Sequence, residues 1–427
     1  MSLPTYADYK DSRIEWLGEV PAHWVCVRLA TLFREVSEPG SGGMPVLSVS
    51  IHDGVSDREL DENEMERKVA RSDDPAKYKA VAPGDLTYNM MRAWQGGFGT
   101  VTVYGMVSPA YVVARPMCDL LTSHIEMVLR TPMAISEIKR YSRGITDFRL
   151  RLYWEDFKGL QIALPPLAEQ LAIASFLDRE TGKIDALIAE QDKLLTLLAE
   201  KRQVTISHAV TRGLDPDVPT KDSGVAWLGM VPAHWEVGAV KRFFVSCDGR
   251  RIPLSAEERG RRIGDYPYYG ASGVIDHVDE YIFDEDLVLV SEDGANLLNR
   301  ATPIAFVARG KYWVNNHAHI LKPLDDNLVF WAERIEAINL EPFVTGSAQP
   351  KLTIESLMNM VIAIPPTGEE RAAIAEFILS AIDKLDALKG EAERSIDLLK
   401  ERRSALIAAA VTGKIDVRNA VPQELAA

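Results

Sequence analysis

The constraint that most limits this chain is a long helical pattern that occurs twice. Leu164–Asp215 opens Leu-Pro-Pro, and Ile364–Asp416 opens Ile-Pro-Pro. Lys183–Asp215 overlies Lys384–Asp416 with 14 of 33 positions identical, and both copies close on Ala-Val-Thr with a glycine within two residues. Proline suits a first helical turn, where its missing N–H is not needed. Glu169 and Glu369 follow in that turn, where a carboxylate favours the helix dipole. The apolar stripe of the first copy is Ile173, Leu177, Ile184, Leu187, Leu194 and Leu198. That of the second is Ile374, Ile378, Leu385, Leu388, Ala392, Ile396, Leu399, Leu406 and Ala410. The period is close to 3.5, with charges on the other faces. A helix of about 40 residues is about 60 Å long. Two such narrow stripes in one chain predict an intramolecular antiparallel coiled coil.

The repeat extends beyond the helices. Asp11–Trp24, DSRIEWLGEVPAHW, matches Asp222–Trp235, DSGVAWLGMVPAHW, at ten of fourteen positions. The order is therefore short motif, variable region, long helix, and the same again, a tandem duplication with units near 210 residues. The expected divisions are 1–163, 164–213, 214–363, 364–416 and a tail at 417–427. The variable regions, about Val25–Ile162 and Glu236–Ile362, show little likeness to each other, and both read as mixed α/β. Strand-like runs are Pro45–Ser50, Gly99–Tyr104, Tyr111–Ala114, Leu287–Val290, Thr302–Val307 and His319–Leu321. Helix candidates are Leu121–Arg130, Met133–Tyr141 and Val329–Ile338. Gly182, mid-helix, costs about 1 kcal/mol against alanine, so a joint is expected near Thr181-Gly182. The polar segment Thr211–Gly224 links the halves, and Leu3–Ser12 resembles its later part. In an antiparallel arrangement the second helix then ends near the start of the first half.

No apolar run approaches a membrane span and no signal-peptide core opens the chain, so a cytoplasmic protein is expected. Cys26, Cys118 and Cys247 have no metal spacing. The net charge of −14 argues against indiscriminate nucleic-acid binding and leaves local patches open. Two arginine groups stand out: Arg140, Arg143, Arg149 and Arg151, and Arg250, Arg251, Arg259, Arg261 and Arg262.

No catalytic signature emerges. There is no phosphate loop, no dinucleotide fingerprint, and no Asn-Pro-Pro-aromatic or Asp-Pro-Pro-Tyr segment of an amino-methyltransferase. Glu155 and Asp156, with Lys158, have half the spacing of a nuclease metal site without the upstream strand, and Glu155 reads as a helix-start residue. His317 and His319 lack a third ligand, which favours hydrogen bonding over metal binding. Two polar stretches suit base-edge reading, because Arg pairs with guanine and Asn or Gln with adenine in the major groove. They are Thr87–Thr100, and Glu292–Arg300 with Trp313–His319. The candidate DNA-contacting set is Tyr88, Asn89, Arg92, Trp94, Gln95, Arg143, Arg149, Tyr269, Ser272, Asn296, Asn299, Arg300, Asn315, Asn316, His317, Gln349 and Lys351.

The layout resembles the specificity subunit of type I restriction–modification systems over essentially its whole length. The resemblance rests on the helices at Ile184–Gly213 and Leu385–Gly413, on the W-L-G-x-V-P-x-H-W motif before each variable region, and on the I-x-[LI]-P-P lead-in at 162–166 and 362–366. Thr345–Leu352 also looks like the family's loop ahead of the second helix. It implies an α+β fold with two mixed α/β target recognition domains, separated by two long antiparallel helices in a pseudo-twofold tandem duplication. Each domain would read one half of a bipartite, asymmetric site in double-stranded DNA, with the helices fixing the unread spacing. The chain would be non-catalytic and bind no cofactor or metal. Two methyltransferase subunits would bring S-adenosylmethionine, and motor-nuclease restriction subunits would bring ATP and Mg2+. The competing expectations are a solitary DNA-cleaving enzyme and a protein-binding coiled-coil scaffold.

Overall fold

A computed structural model describes residues 4–60, 74–144, 149–346 and 349–420. The chain divides into two compact units, residues 1–191 with 394–427, and residues 192–393. The division cuts through both long helices and not at their ends.

The long helices form as the periodicity predicts: α1 spans Leu167–Arg212 and α2 spans Gly368–Val411. Asp185 of α1 pairs with Arg403 of α2 at 2.8 Å in the first unit, and Arg202 with Asp386 at 2.5 Å in the second. Moving forward along α1 thus moves backward along α2 by the same number of residues, so the pairing is antiparallel. The expected joint is absent: α1 runs unbroken through Gly182, where an added Cβ would meet nothing. A glycine facing solvent costs only its propensity, and the turns on either side carry it.

The seam differs from the predicted stripe at three positions. Leu187, Leu194 and Leu388 are exposed. In α1 the inward residues step through Leu177, Thr181, Ile184, Ile188, Gln191, Leu195, Leu198 and Arg202. The steps alternate between four and three residues, the coiled-coil rhythm. Leu187-Ile188 and Leu194-Leu195 are adjacent apolar pairs. The pattern alone cannot choose between their members, and packing selects the second of each.

The two variable regions, unlike in sequence, share one topology. In the first unit β1 (Phe33–Val36), β2 (Leu86–Asn89), β3 (Phe98–Thr100) and β4 (Tyr111–Pro116) form an antiparallel sheet in the order β1-β4-β2-β3. In the second, β5 (Phe244–Ser246), β6 (Leu287–Ser291), β7 (Ala305–Ala308) and β8 (Ala318–Pro323) form an antiparallel sheet in the order β5-β8-β6-β7. Strands β2 and β6 are central and buried on both faces; β6 reads as an apolar run, whereas β2 alternates in sequence and buries Thr87 and Asn89 as well. Each region is closed by a strand pair: Val25–Arg28 with Gln161–Leu164, and Glu236–Ala239 with Val361–Ile364. Three expected strands are shorter than their runs, since the strands formed are Val49–Ser50, Phe98–Thr100 and Ala305–Ala308. The second unit adds a further sheet of Gly273–Val278, Ile263–Gly270, Lys311–Val314 and Phe283–Asp284, most of which the sequence patterns missed.

The repeated short motif is a clasp. In the first unit the Trp24 indole donates to Glu169 at 3.0 Å, His23 meets the same carboxylate at 2.7 Å, and the Tyr6 hydroxyl donates to it at 2.6 Å. The end of α2 lies here too. Tyr9 donates to the Gly413 carbonyl, Lys414 to the Glu19 carbonyl, and the Asp416 amide to the Pro4 carbonyl. In the second unit Trp235 donates to Glu370 at 2.9 Å and His234 meets it at 3.0 Å. The counterpart of Glu169 is therefore Glu370 and not Glu369, which is exposed. Position within the first turn is set by the tryptophan it must reach.

Candidate nucleic-acid interface

In each unit the central strand runs into a polar loop, and that loop is tied to a second hairpin. After β2, Asn89 accepts from the Met91 amide at 3.0 Å, and Ala93–Gln95 makes a 3-10 turn closed by Gly96 at φ 90. Only glycine takes that conformation without strain. The Leu152 amide then donates to Met90 at 2.9 Å, and Arg143 and Arg151 bridge the second hairpin at 2.9 Å in both directions. After β6 the plan repeats. The Leu352 amide donates to Glu292 at 2.8 Å, and Thr345 and Lys351 bridge their hairpin at 2.9 and 2.8 Å. Two more loops join here: the Glu292 amide donates to His317, and Ser291 Oγ donates to the Ala271 carbonyl.

The loop ends gather exposed polar side chains of differing chemistry. In the first unit Gln95, Arg143 and Arg149 are exposed, and Arg92 and Trp94 are half-buried. Trp94 donates to the Met91 carbonyl at 3.0 Å, and Lys139 lies 5.6 Å from its ring centroid. Arg143 pairs with Asp156 at 2.5 Å. In the second unit Ser272, Asn299, Asn316, His317, Gln349 and Lys351 are exposed. His317 meets Asp293 at 2.8 Å, and Lys351 meets Glu292 at 3.1 Å. Of the loop Thr345–Leu352, Ser347 and Ala348 lie outside the described residues.

Six residues of the sequence-derived set do structural work. Tyr88 is fully buried against Phe98 and Phe157. Asn89 is buried and caps its turn. Asn296 ties Thr302 through both ends of its amide, at 2.9 Å each. Arg300 turns inward to Glu336 and the Ile338 carbonyl. Asn315 is buried and accepts from the His317 amide at 2.7 Å. Tyr269 packs on Phe306 and Tyr312. The residue types that read bases also cap turns, and a linear pattern does not separate the two uses. Arg151, Arg251 and Lys139 stand beside these loops outside the sequence-derived set, although two of them fall in the arginine groups.

The second arginine group is consumed by ion pairs: Arg250 with Glu285, Arg251 with Glu292, Arg259 with Asp276, Arg261 with Glu257 and Arg262 with Asp279. It offers little free positive charge. Beneath it Asp248, Glu292 and His319 stand close enough to hold a metal ion. Both nitrogens of His319 already face acceptors, the Asp248 carboxylate at 2.6 Å and the Leu352 carbonyl at 2.8 Å. Burial raises the Asp248 and Glu292 carboxyls. The hydrogen bonds from His319 and the Ile320 amide to Asp248, and from Arg251 to Glu292, outweigh it, so both end below the usual carboxylate range. The cluster is a hydrogen-bonded network that ties the loop to the domain, with both histidine nitrogens already engaged. Likewise Glu155 starts the short helix Trp154–Phe157 and pairs with Lys158.

Residues 232–397 match the model of the type I restriction modification DNA specificity domain. A putative type I MjaX specificity subunit of Methanocaldococcus jannaschii is 22% identical over 94% of this chain and 96% of its own length. The chain is similar to type I restriction–modification specificity proteins along nearly its whole length. A putative specificity subunit of Haemophilus influenzae, S.HindORF215P, is 35% identical over 130 residues, 30% of this chain and 32% of that protein, so this match spans only about a third of that relative. The fold resembles that of two solved chains. The HsdS subunit from Thermoanaerobacter tengcongensis aligns with a TM-score of 0.54 at 16% identity, covering 92% of this chain and 98% of its own. A chain from a study of complex assembly and conformational transition of the type I R-M system aligns with a TM-score of 0.60 at the same identity and coverage. Among the described residues no helix is long and apolar enough to cross a membrane.

Proposed function

We propose that this chain is the DNA sequence-specificity subunit of a cytoplasmic type I restriction–modification complex, with one recognition domain per half of a bipartite, asymmetric site. The observation that carries this reading is the shared plan with divergent tips. Both domains lead a central strand into a loop hydrogen-bonded to a second hairpin, through Met90 and Leu152 in one and Glu292 and Leu352 in the other. The exposed side chains on that plan differ, with Gln95, Arg143 and Arg149 against Ser272, Asn316, His317 and Lys351. One scaffold with two sets of polar tips suits the reading of two different half-sites. The chain itself carries no catalysis. Two methyltransferase subunits bring S-adenosylmethionine, and motor-nuclease subunits bring ATP and Mg2+.

The test is selection from a randomised duplex library by the full chain together with its methyltransferase subunit. Enrichment of two short sequences at a fixed separation is the expected result. Enrichment of a single continuous sequence, or none, defeats the reading. Magnesium-dependent cleavage by the purified chain would favour a solitary nuclease instead.

A further inference from the structure

The stretches that leave the second hairpins match position by position. Arg151–Phe157 in the first unit and Lys351–Leu357 in the second have the same order of exposed and buried residues. In each, a leucine amide donates to the loop after the central strand, Leu152 to the Met90 carbonyl and Leu352 to the Glu292 carbonyl. In each, the next residue is the N-cap of a short helix, Trp154–Phe157 or Ile354–Asn359. The second unit fills that place as a helix start requires: Thr353 Oγ accepts from the Ser356 amide at 3.1 Å. Threonine suits an N-cap because its short side chain reaches an amide that has no partner within the helix.

The first unit fills the same place with Tyr153, which makes no capping bond. A tyrosine hydroxyl, on the far side of its ring, does not fold back onto the first turn. Tyr153 is also 42% exposed, so burial does not account for it either. A residue that breaks a local preference without a structural gain marks a functional position. Met91 follows the other partner of the Leu152 bond and is 45% exposed. Its counterpart in the second unit is Asp293, which meets His317. One tip thus presents a phenol ring and a thioether on loops that carry Arg92, Arg143 and Arg151, and the other presents a threonine and a carboxylate. Basic side chains draw the phosphate backbone close. The apolar group that a base edge then offers in the major groove is the 5-methyl of thymine.

We propose that Tyr153 is a specificity-determining residue, which packs its ring on the methyl group of a thymine in the half-site read by the first domain. The inference rests on the functional reading above and adds to it the base that this position selects. The first domain gives up a helix cap for that contact, and the second domain, with Thr353, keeps the cap and reads otherwise.

The test is binding of the full chain, with its methyltransferase subunit, to its selected duplex carrying deoxyuridine in place of each thymine in turn. Uracil lacks only the methyl group. At one position of one half-site the wild type is expected to bind uracil about fourfold more weakly, the loss of one buried methyl. Tyr153→Phe is expected to keep that preference. Tyr153→Thr is expected to bind the two bases alike there and to melt no lower than the wild type, because threonine restores the cap. A thymine preference that survives Tyr153→Thr, or a wild type with no such preference in either half-site, overturns the inference and leaves the functional reading intact. A Tyr153→Thr variant that melts lower and weakens on all sequences alike makes the tyrosine structural and also overturns it. A wild type that selects no bipartite site overturns the functional reading itself and the inference with it.

Discussion

The Trp24 indole N–H donates to the Glu169 carboxylate at 3.0 Å, joining a motif near the start of the chain to the first turn of α1. Glu169 is 6% exposed and takes two further partners, Tyr6 and His23. Removing one member of a buried charged network costs about 3–5 kcal/mol, because the partners are left desolvated. Glu169→Ala should therefore lower the stability of its unit by that amount. Glu370→Ala, with a half-exposed carboxylate and two partners, should cost about 1–2 kcal/mol. Urea unfolding followed by the fluorescence of each unit's tryptophans measures both. Equal losses would mean that burial of the carboxylate is not what strengthens the first clasp.

The helix seam makes a paired prediction. Leu198 is 8% exposed and Leu187 is 52% exposed. Leu198→Ala should cost about 2–3 kcal/mol and Leu187→Ala under about 0.5 kcal/mol, since only the first opens a packed site. Thermal melts by circular dichroism at 222 nm compare them directly. The reverse order would return the seam to the predicted stripe.

Glu333 supplies a pH dependence. Burial first, then the nearby Glu336 carboxylate, pushes its pKa up to about 7, with Arg202 opposing. A carboxyl raised on folding binds its proton more tightly in the folded chain. Its contribution is present below the ordinary glutamate range and is lost as pH rises through about 7. Glu333→Gln should match the wild type at pH 4.5 and melt higher at pH 8. A constant difference in Tm across that range would contradict this.

Arg300 and Asn316 separate structure from reading. Arg300 turns inward to Glu336 and the Ile338 carbonyl, and Asn316 is exposed at a loop tip. Arg300→Ala should lower stability by about 1–3 kcal/mol and weaken binding to all sequences alike. Asn316→Ala should leave the melt unchanged and cost about 1–3 kcal/mol of discrimination at one half-site only. Melting curves with competition binding against half-site variants decide between the two.

The features legible in the sequence are those with a period or a repeat. The 3.5 rhythm fixed α1 and α2 to within a few residues, and the duplicated motif announced an element common to both halves. Leu187 against Ile188 was not legible, because two adjacent leucine-like residues satisfy the same rhythm. The common topology of the variable regions was hidden for a different reason. Strands β2 and β6 keep only their burial in common: β6 is an apolar run, whereas β2 buries Thr87 and Asn89 in alternation with Leu86 and Tyr88. Asn89, Asn296 and Arg300 misled for a third reason: a side chain that can read a base edge can equally cap a turn, and only the fold says which backbone groups lie within reach. The clasp partners Glu169 and Glu370 could have been found from the recurring His-Trp pair, whose donors need a buried acceptor.

The central claim is that each domain reads its own half of one site. Its most direct measurement is single-molecule mapping of methylated bases in cells that carry this chain with its methyltransferase subunit, repeated with Asn316→Ala. The account predicts two short half-sites at a fixed separation, with the substitution altering one half and leaving the other and the separation unchanged. A continuous motif, or a substitution that changes both halves together, would contradict it.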